Sequence, residues 1–146
     1  MAQAMADTRL PYIISFTIRE DGCLVDGTLL NDAIKGIDQL VFPAPLCYMA
    51  NCVHPQIVYR ALARPENRTE EIRTRFLGIQ GNTAQASYTE LEHSPSLEYS
   101  PPEMWTEDML RLRQLADFKI FGGCCGTNFI YMETLARRLE KKDTLF

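Results

Sequence analysis

The sequence predicts an α/β fold of four consecutive βα units with parallel strands, which is half of a (β/α)8 barrel. Short apolar segments alternate with amphipathic helical segments four times over 146 residues. Such alternation is typical of parallel strands joined by right-handed crossovers. A complete barrel needs eight units and about 250 residues. Residues 1–146 are therefore expected to form one domain that corresponds to half of a barrel.

The first two units begin with strands that are rich in β-branched and aromatic residues. Residues 12–18 predict the first strand, and the apolar positions of residues 29–38 recur at helical spacing. Residues 46–50 predict the second strand. The next helix is expected to start at His54-Pro55, because a proline in the first turn loses no intrahelical hydrogen bond. We interpret His54 as a cap of this helix, with a supporting role at a nearby site as the alternative.

The third unit contains a long polar segment. Residues 75–80 predict its strand, and residues 81–99 form a polar stretch that is too long for a simple connection. We interpret this stretch as a candidate functional loop. The following Ser100-Pro101-Pro102-Glu103 has the capping-box pattern, with Ser100 as the N-cap and Glu103 reaching back.

The fourth unit ends the chain. Residues 118–121 predict the last strand, and residues 122–126 form a glycine-containing turn. Thr127 can cap a final helix that runs to about residue 141. At the other end of the chain, residues 1–8 are interpreted as the end of a helix that belongs to a preceding unit.

Composition excludes several classes of function. The hydrophobic content of 46% and the charged content of 23% are those of an ordinary globular domain. A net charge of -4 and a pI near 5.2 give no electrostatic case for binding nucleic acid or an anionic membrane. The apolar runs are far too short to cross a bilayer, and residues 1–10 lack the apolar core of a signal peptide. We therefore expect a cytoplasmic protein.

The cysteines are the most informative residues of the chain. There are five of them, an odd number that includes an adjacent pair: Cys23, Cys47, Cys52, Cys124 and Cys125. This pattern argues against a disulfide framework. In a reducing compartment, clustered cysteines favour metal ligands or reactive thiols.

Three of the cysteines are predicted to converge. Cys52 follows the second predicted strand, and Cys124 and Cys125 follow the fourth. Alternate strands of a barrel point side chains into the same interior layer, and barrel enzymes keep their chemistry at the carboxyl ends of the strands. Three thiolates with an open fourth position form a catalytic type of zinc site. The flanking glycines of residues 122–126 permit the sharp turn that two adjacent ligands need.

Four segments also carry a family resemblance. They are Ile13-Ile14-Ser15-Phe16-Thr17, Gly22-Cys23-Leu24-Val25-Asp26-Gly27-Thr28, Asn51-Cys52-Val53-His54-Pro55 and Gly122-Gly123-Cys124-Cys125-Gly126-Thr127. In order and spacing they resemble the homocysteine S-methyltransferase family, and the resemblance extends over essentially the whole chain. It implies that the chain is the C-terminal half of a homocysteine-binding TIM barrel domain.

The resemblance also implies an activity. It assigns Cys52, Cys124 and Cys125 as ligands of Zn2+, which binds the thiol of homocysteine. The implied reaction transfers a methyl group to that thiol and gives methionine, with homocysteine and a small methyl donor as partners. The donor could be S-methylmethionine, S-adenosylmethionine, betaine or a folate, and this half of the barrel does not distinguish between them.

The family's N-terminal half, with the acidic residue that helps to hold the substrate amino group, has no counterpart in residues 1–146. We therefore expect weak or no independent activity. The alternatives are a truncated fragment that binds metal without turnover and one half of a two-chain enzyme. A thiol redox protein is disfavoured because the sequence has no Cys-x-x-Cys motif. Open sheet edges predict a homo-oligomer or pairing with the missing barrel half.

Three further polar residues are candidates for binding the substrate. Ser15 and Asn82 lie at ends of predicted strands on the presumed active face, and Asn51 precedes the first of the three cysteines. Each of them has an ordinary structural alternative, such as a turn. Cys23 and Cys47 match no motif, so we interpret them as packing or turn residues.

Overall fold

The computed structural model describes residues 1–85 and 99–143. They form an α/β fold around a four-stranded parallel sheet with the strand order β1-β2-β3-β4. This architecture confirms the predicted half barrel of alternating strands and helices. The strands are β1 (Ile14–Phe16), β2 (Tyr48–Val53), β3 (Phe76–Gly81) and β4 (Ile120–Gly123).

Helices connect the strands. In chain order they are α1 (Ala2–Asp7), α2 (Leu30–Leu40), α3 (Pro55–Ala63), α4 (Glu70–Arg75), α5 (Pro102–Arg111) and α6 (Phe129–Asp143), with 3-10 turns at Pro65–Asn67 and Leu112–Gln114. In the part of the chain that the structure describes, no helix is both long enough and apolar enough to cross a membrane.

The hydrophobic core lies between the helices and one face of the sheet. Tyr48 and Ala50, which alternate along β2 because successive side chains of a strand point to opposite faces, supply one side of it together with their β3 partners Phe76 and Ile79. The apolar stripes of α2, α3 and α5 supply the other side. Its fully buried members include Ile34, Tyr48, Ala50, Val58, Leu62, Phe76, Ile79, Trp105 and Met109.

The strands β2, β3 and β4 lie further along the chain than predicted. The second strand ends at Val53 and not at residue 50, because its parallel pairing with β3 continues through Asn51 and Gln80. The fourth strand starts at Ile120 and includes Gly122 and Gly123, which were predicted as part of a turn. Cys52 is consequently part of β2 and does not follow it.

The capping box predicted at Ser100 is wrong. Helix α5 begins at Pro102, its N-cap is Pro101, and that end has no side-chain cap. The Ser100 hydroxyl is instead buried and lies 2.9 Å from Nε2 of His54, which competes for it. The prediction for His54 as a cap is confirmed, since its Nδ1 accepts the N–H of Gln56 at 3.2 Å. Residues 86–98 of the candidate functional loop lie outside the described residues.

Candidate metal centre

The first cysteine of the site lies in a β-bulge. Asn51 pairs with Gln80 and Val53 pairs with Gly81, so Cys52 is the extra residue between two pairs of the ladder. Its φ angle is 55°, in the left-handed region that residues with a Cβ rarely adopt. A bulge redirects the side chain of the unpaired residue. The side chain of Cys52 therefore does not follow the regular alternation along β2, and its sulfur approaches Cys125 in the loop after β4.

The adjacent cysteines follow β4 in a tight loop. The N–H of Cys124 donates to the carbonyl of Gly81 at 2.8 Å, which ties the start of the loop to the end of β3. Both the N–H and the hydroxyl of Thr127 donate to the carbonyl of Cys124, at 3.1 and 2.6 Å. Gly126 has a φ of 80°, so the loop turns where only glycine adopts the conformation without strain.

Thr127 is therefore part of the cysteine loop and does not cap the last helix. Helix α6 begins at Phe129, and Oδ1 of Asn128 accepts the N–H of Ile130 at 2.9 Å. Gly123 has a matching role, because a Cβ at this position would overlap the Thr127 side chain. The hydroxyl thus lies against the backbone of the residue that precedes Cys124.

The three sulfur atoms meet at the carboxyl ends of the strands. Sγ of Cys125 lies 3.5 Å from Sγ of Cys52 and 3.9 Å from Sγ of Cys124, and all three lie within 4.8 Å of one another. A tetrahedral zinc site with zinc–sulfur bonds of about 2.3 Å places its sulfurs about 3.8 Å apart. The observed separations therefore fit three ligands of one zinc ion.

The pKa values of the Cys52 and Cys124 thiols depart from the ordinary thiol value in opposite directions. Burial and hydrogen bonds with Cys125 and Cys124 raise the pKa of Cys52 to about 12. Burial also opposes ionisation of Cys124, but hydrogen bonds from Cys52 and from the backbone hold its pKa below the usual value. A single negative charge shared by the three thiols explains both pKa shifts, because the charged sulfur accepts the hydrogen bonds that the neighbouring thiols donate. A divalent cation would stabilise all three thiolates together.

Asn82 lies beside this cluster and contains an unpaired polar atom. Its side chain is 2% exposed, and its Nδ2 donates to the carbonyl of Cys52 at 3.3 Å. The main-chain carbonyl of Asn82 accepts a hydrogen bond from the indole N–H of Trp105 at 2.8 Å. Its Oδ1 is buried without a hydrogen-bond partner among the described residues. Leaving such an atom unpaired costs about 1–3 kcal/mol.

Ser15 and Asn51, the other two candidates for binding the substrate, form a hydrogen bond with each other. The hydroxyl of Ser15 donates to Oδ1 of Asn51 at 2.8 Å, so these two side chains bind each other across β1 and β2. They share the sheet face of Gln80, one residue before the bulge at Cys52. Cys23 and Cys47 are outside the group of three sulfurs.

Two threonines, Thr127 and Thr83, support the cysteine loop, and only the contact of Thr127 could have been predicted from the sequence. Thr127 follows Cys124 by three residues, a spacing at which a threonine hydroxyl reaches a backbone carbonyl in a turn. Thr83 also contacts the cysteine loop, but its partner Cys125 is 42 residues away along the chain. No local pattern indicates a contact at that separation.

Comparison with known proteins agrees with this geometry. The family model described as Homocysteine S-methyltransferase matches residues 1–139. Searches of curated proteins and of solved structures gave no match. The family match extends over nearly the whole chain and includes all three converging cysteines. The chain belongs to the homocysteine S-methyltransferase family.

Proposed function

We propose that Cys52, Cys124 and Cys125 hold one zinc ion and that the chain serves in the transfer of a methyl group to the thiol of homocysteine, which gives methionine. The observation that carries this proposal is the convergence of the three sulfurs, at separations close to those of a tetrahedral thiolate site. Membership of the family supplies the substrate. The proposed activity needs reduced thiols, in agreement with the cytoplasmic location expected from the sequence.

Zinc, when bound, would keep the homocysteine sulfur deprotonated at neutral pH, where a free thiol with a pKa near 8.5 is mostly protonated. Cys52, Cys124 and Cys125 would hold the ion and would leave the fourth position of a catalytic type of zinc site open. The sulfur forms a bond to the methyl carbon while the bond between that carbon and the donor breaks. The product is a thioether, which would be a weaker metal ligand than the thiolate.

We propose that the substrate is oriented by the polar side chains next to the cysteines. The unpaired Oδ1 of Asn82 can accept one hydrogen bond from the ammonium group of homocysteine, which removes the cost of its burial. Ser15 and Asn51 line the same end of the sheet, and their mutual hydrogen bond keeps both side chains oriented. Each of these residues positions the substrate and none has to move a proton.

Elemental analysis of the purified chain tests the metal assignment. We expect about one zinc per site in the wild-type protein and loss of tight binding in Cys124→Ser. Cys23→Ser is the matched control, because Cys23 lies outside the three-sulfur group, and we expect it to keep its zinc. Unchanged zinc content in Cys124→Ser would reject the assignment.

The methylation assay separates the catalytic proposal from metal binding alone. Positioning of two reactants can account for about 7–11 kcal/mol of a reaction barrier, and residues 1–146 carry one half of the predicted barrel. We expect the isolated chain to bind zinc and to methylate homocysteine slowly or not at all. Rapid turnover by the 146-residue chain would contradict the view that a second half is required.

We also propose that the outer edges of the sheet pair with further strands, either from a second copy of the chain or from the other half of a barrel. In the described part of the chain, β1 and β4 each pair with one neighbour. Ile13 and Ile120, at these edges, are more than one-third exposed, and an open edge favours pairing with another chain. Sedimentation at micromolar concentration is expected to show a dimer or larger oligomer, and a folded monomer would rule out self-pairing.

A further inference from the structure

Thr83 is a buried residue that contacts the cysteine loop from the segment just after the neighbouring strand, β3. It lies just after β3 and is fully buried. Its N–H donates to the carbonyl of Cys125 at 3.1 Å, and its hydroxyl lies 3.5 Å from the same oxygen. Its own carbonyl accepts the N–H of Ser100 at 2.9 Å. The backbone of Thr83 is therefore held on both sides, which makes it a rigid support.

Thr83 and Thr127 together fix the orientation of one cysteine. Thr127 binds the carbonyl of Cys124, and Thr83 binds the carbonyl of Cys125. These carbonyls belong to the two planar peptide groups on either side of the Cα of Cys125. Holding both planes sets φ and ψ of Cys125, and these angles determine the direction of its Cβ.

The contact between Thr83 and the loop is also close. A Cβ added to Gly126 would overlap Oγ1 of Thr83, so the threonine side chain lies directly against the backbone after Cys125. Adjacent side chains normally diverge, yet Sγ of Cys125 lies within 4 Å of the sulfurs of both Cys52 and Cys124. This central sulfur depends most on a fixed backbone.

We infer that Thr83 is a positioning residue for the metal centre, which holds Cys125 so that its sulfur faces Cys52. The inference rests on the proposed function, since it gives this residue a role at the zinc site. It goes further by assigning a specific task to a residue in the loop after β3, whose target lies in the loop after β4. Thr83 acts through the backbone of Cys125.

Two substitutions separate the hydroxyl from the shape of the side chain. Thr83→Val keeps the size and the branching but removes the hydroxyl, whereas Thr83→Ser keeps the hydroxyl. We expect zinc affinity, measured by competition with a chelator, to fall about tenfold in Thr83→Val and less than about threefold in Thr83→Ser. Equal affinities of Thr83→Val and the wild type would overturn the inference.

A spectroscopic measurement distinguishes positioning from general destabilisation. In the cobalt-loaded protein, the intensity of thiolate-to-cobalt charge transfer in the near ultraviolet reports how many thiolates bind the ion. We expect a lower intensity per bound cobalt in Thr83→Val, with the unfolding midpoint of the metal-free protein close to that of Thr83→Ser. Unchanged intensity together with a lower midpoint would show a purely structural role and would also overturn the inference.

A metal-free probe keeps this inference separate from the zinc proposal. Phenylarsine oxide bridges two neighbouring thiols, forming two arsenic–sulfur bonds and releasing one water. We expect it to react with the Cys52–Cys125 pair in the metal-free wild type and several-fold more slowly in Thr83→Val. If the wild type binds no zinc but shows this difference, the zinc proposal fails and the role of Thr83 stands. Equal rates in the two proteins would refute the role of Thr83.

Discussion

The two ends of the parallel sheet differ in how far their polar groups are paired. At the amino ends of the strands, Arg75, Asp38 and Tyr48 bind one another. At the carboxyl ends, Cys52 has a strained backbone, and the buried Oδ1 of Asn82 has no hydrogen-bond partner among residues 1–85 and 99–143. The polar groups of the first arrangement are paired with one another, whereas in the second the three thiols of Cys52, Cys124 and Cys125 lie close enough together to hold a metal ion.

The amino-end cluster connects two helices, a loop and one strand. Arg75 donates twice to the carboxylate of Asp38, at 2.8 and 2.9 Å, and once each to the carbonyls of Pro45 and Leu46. The hydroxyl of Tyr48 donates to the same carboxylate at 2.8 Å, and the guanidinium lies 5.5 Å from the centre of its ring. Partial burial raises the pKa of Asp38, but the hydrogen bonds from Arg75 and Tyr48 outweigh it and lower the pKa.

The difference between the two ends predicts that stability and metal binding depend on different residues. Barrel enzymes place their chemistry at the carboxyl ends of the strands and use the opposite end for stability. Strain and unpaired groups persist only where the surrounding structure holds them in place, and they cluster at functional sites. Substitutions at the amino ends are therefore expected to change unfolding much more than metal binding, and substitutions at the carboxyl ends to change metal binding much more than unfolding.

The largest expected effect on stability comes from Arg75→Ala. It leaves the partly buried carboxylate of Asp38 without its cation and removes two bonds to loop carbonyls. We expect the free energy of unfolding of the metal-free protein to fall by about 3 kcal/mol, measured by urea denaturation. The zinc dissociation constant is expected to change less than about threefold.

Arg73→Ala is the matched control for this change. Arg73 lies on the same helix, but its ion pairs with Glu70 and Asp117 are about half exposed. Exposed pairs of this type contribute less than about 1 kcal/mol. A similar loss of stability in both variants would contradict a special role of the amino-end cluster, and a large loss of zinc affinity in Arg75→Ala would remove the separation of the two ends.

A smaller effect is expected from the pH dependence of Asp38. Its pKa is lower in the folded protein than the ordinary value of 3.8. The ionised carboxylate therefore stabilises the fold above the ordinary value, and this contribution is lost as the pH falls through the lower folded value. We expect Asp38→Asn to lower the free energy of unfolding by about 2 kcal/mol at about pH 6, and this difference to shrink towards about pH 3.

The comparison of the wild type with Asp38→Asn cancels the other acidic groups. Asp21, Asp26, Glu70 and Glu71 also have lowered pKa values, but all four residues are present in both proteins. A difference that stays constant from about pH 6 to about pH 3 would mean that ionised Asp38 does not stabilise the fold.

Much of this organisation could be predicted from the sequence because it depends on local patterns. Hydrophobic periodicity predicted the four strand–helix units, and the parallel order is confirmed. The convergence of Cys52, Cys124 and Cys125 followed from the rule that alternate strands of a barrel share an interior layer, and the three sulfurs do lie together. That these cysteines hold zinc stays a prediction.

What could not be predicted depends on contacts between distant segments. The bulge at Cys52 arises from the register of β2 against β3, which no local pattern encodes. The capping-box pattern at Ser100 was misleading because buried His54, 46 residues away, takes its hydroxyl. The support of Cys125 by Thr83 likewise joins two loops across the sheet. In each of these cases a tertiary hydrogen bond or pairing outweighs a local preference.

The smallest expected effect is also the one that tests the comparison most directly, and it concerns Cys52→Gly. A residue with a Cβ in the left-handed region costs about 1–2 kcal/mol, and Cys52 has a φ of 55°. Glycine removes that strain but costs about 0.5–1 kcal/mol in unfolded-state entropy. We expect the free energy of unfolding of the metal-free protein to stay equal or to rise by up to about 1 kcal/mol, while tight zinc binding is lost. Cys124→Gly is the control, because Cys124 does not have a positive φ angle.

This control substitution should lower the free energy of unfolding by about 1 kcal/mol and should also abolish tight zinc binding. Equal destabilisation by the two substitutions, measured by urea denaturation under reducing conditions, would show that the bulge at Cys52 is not strained.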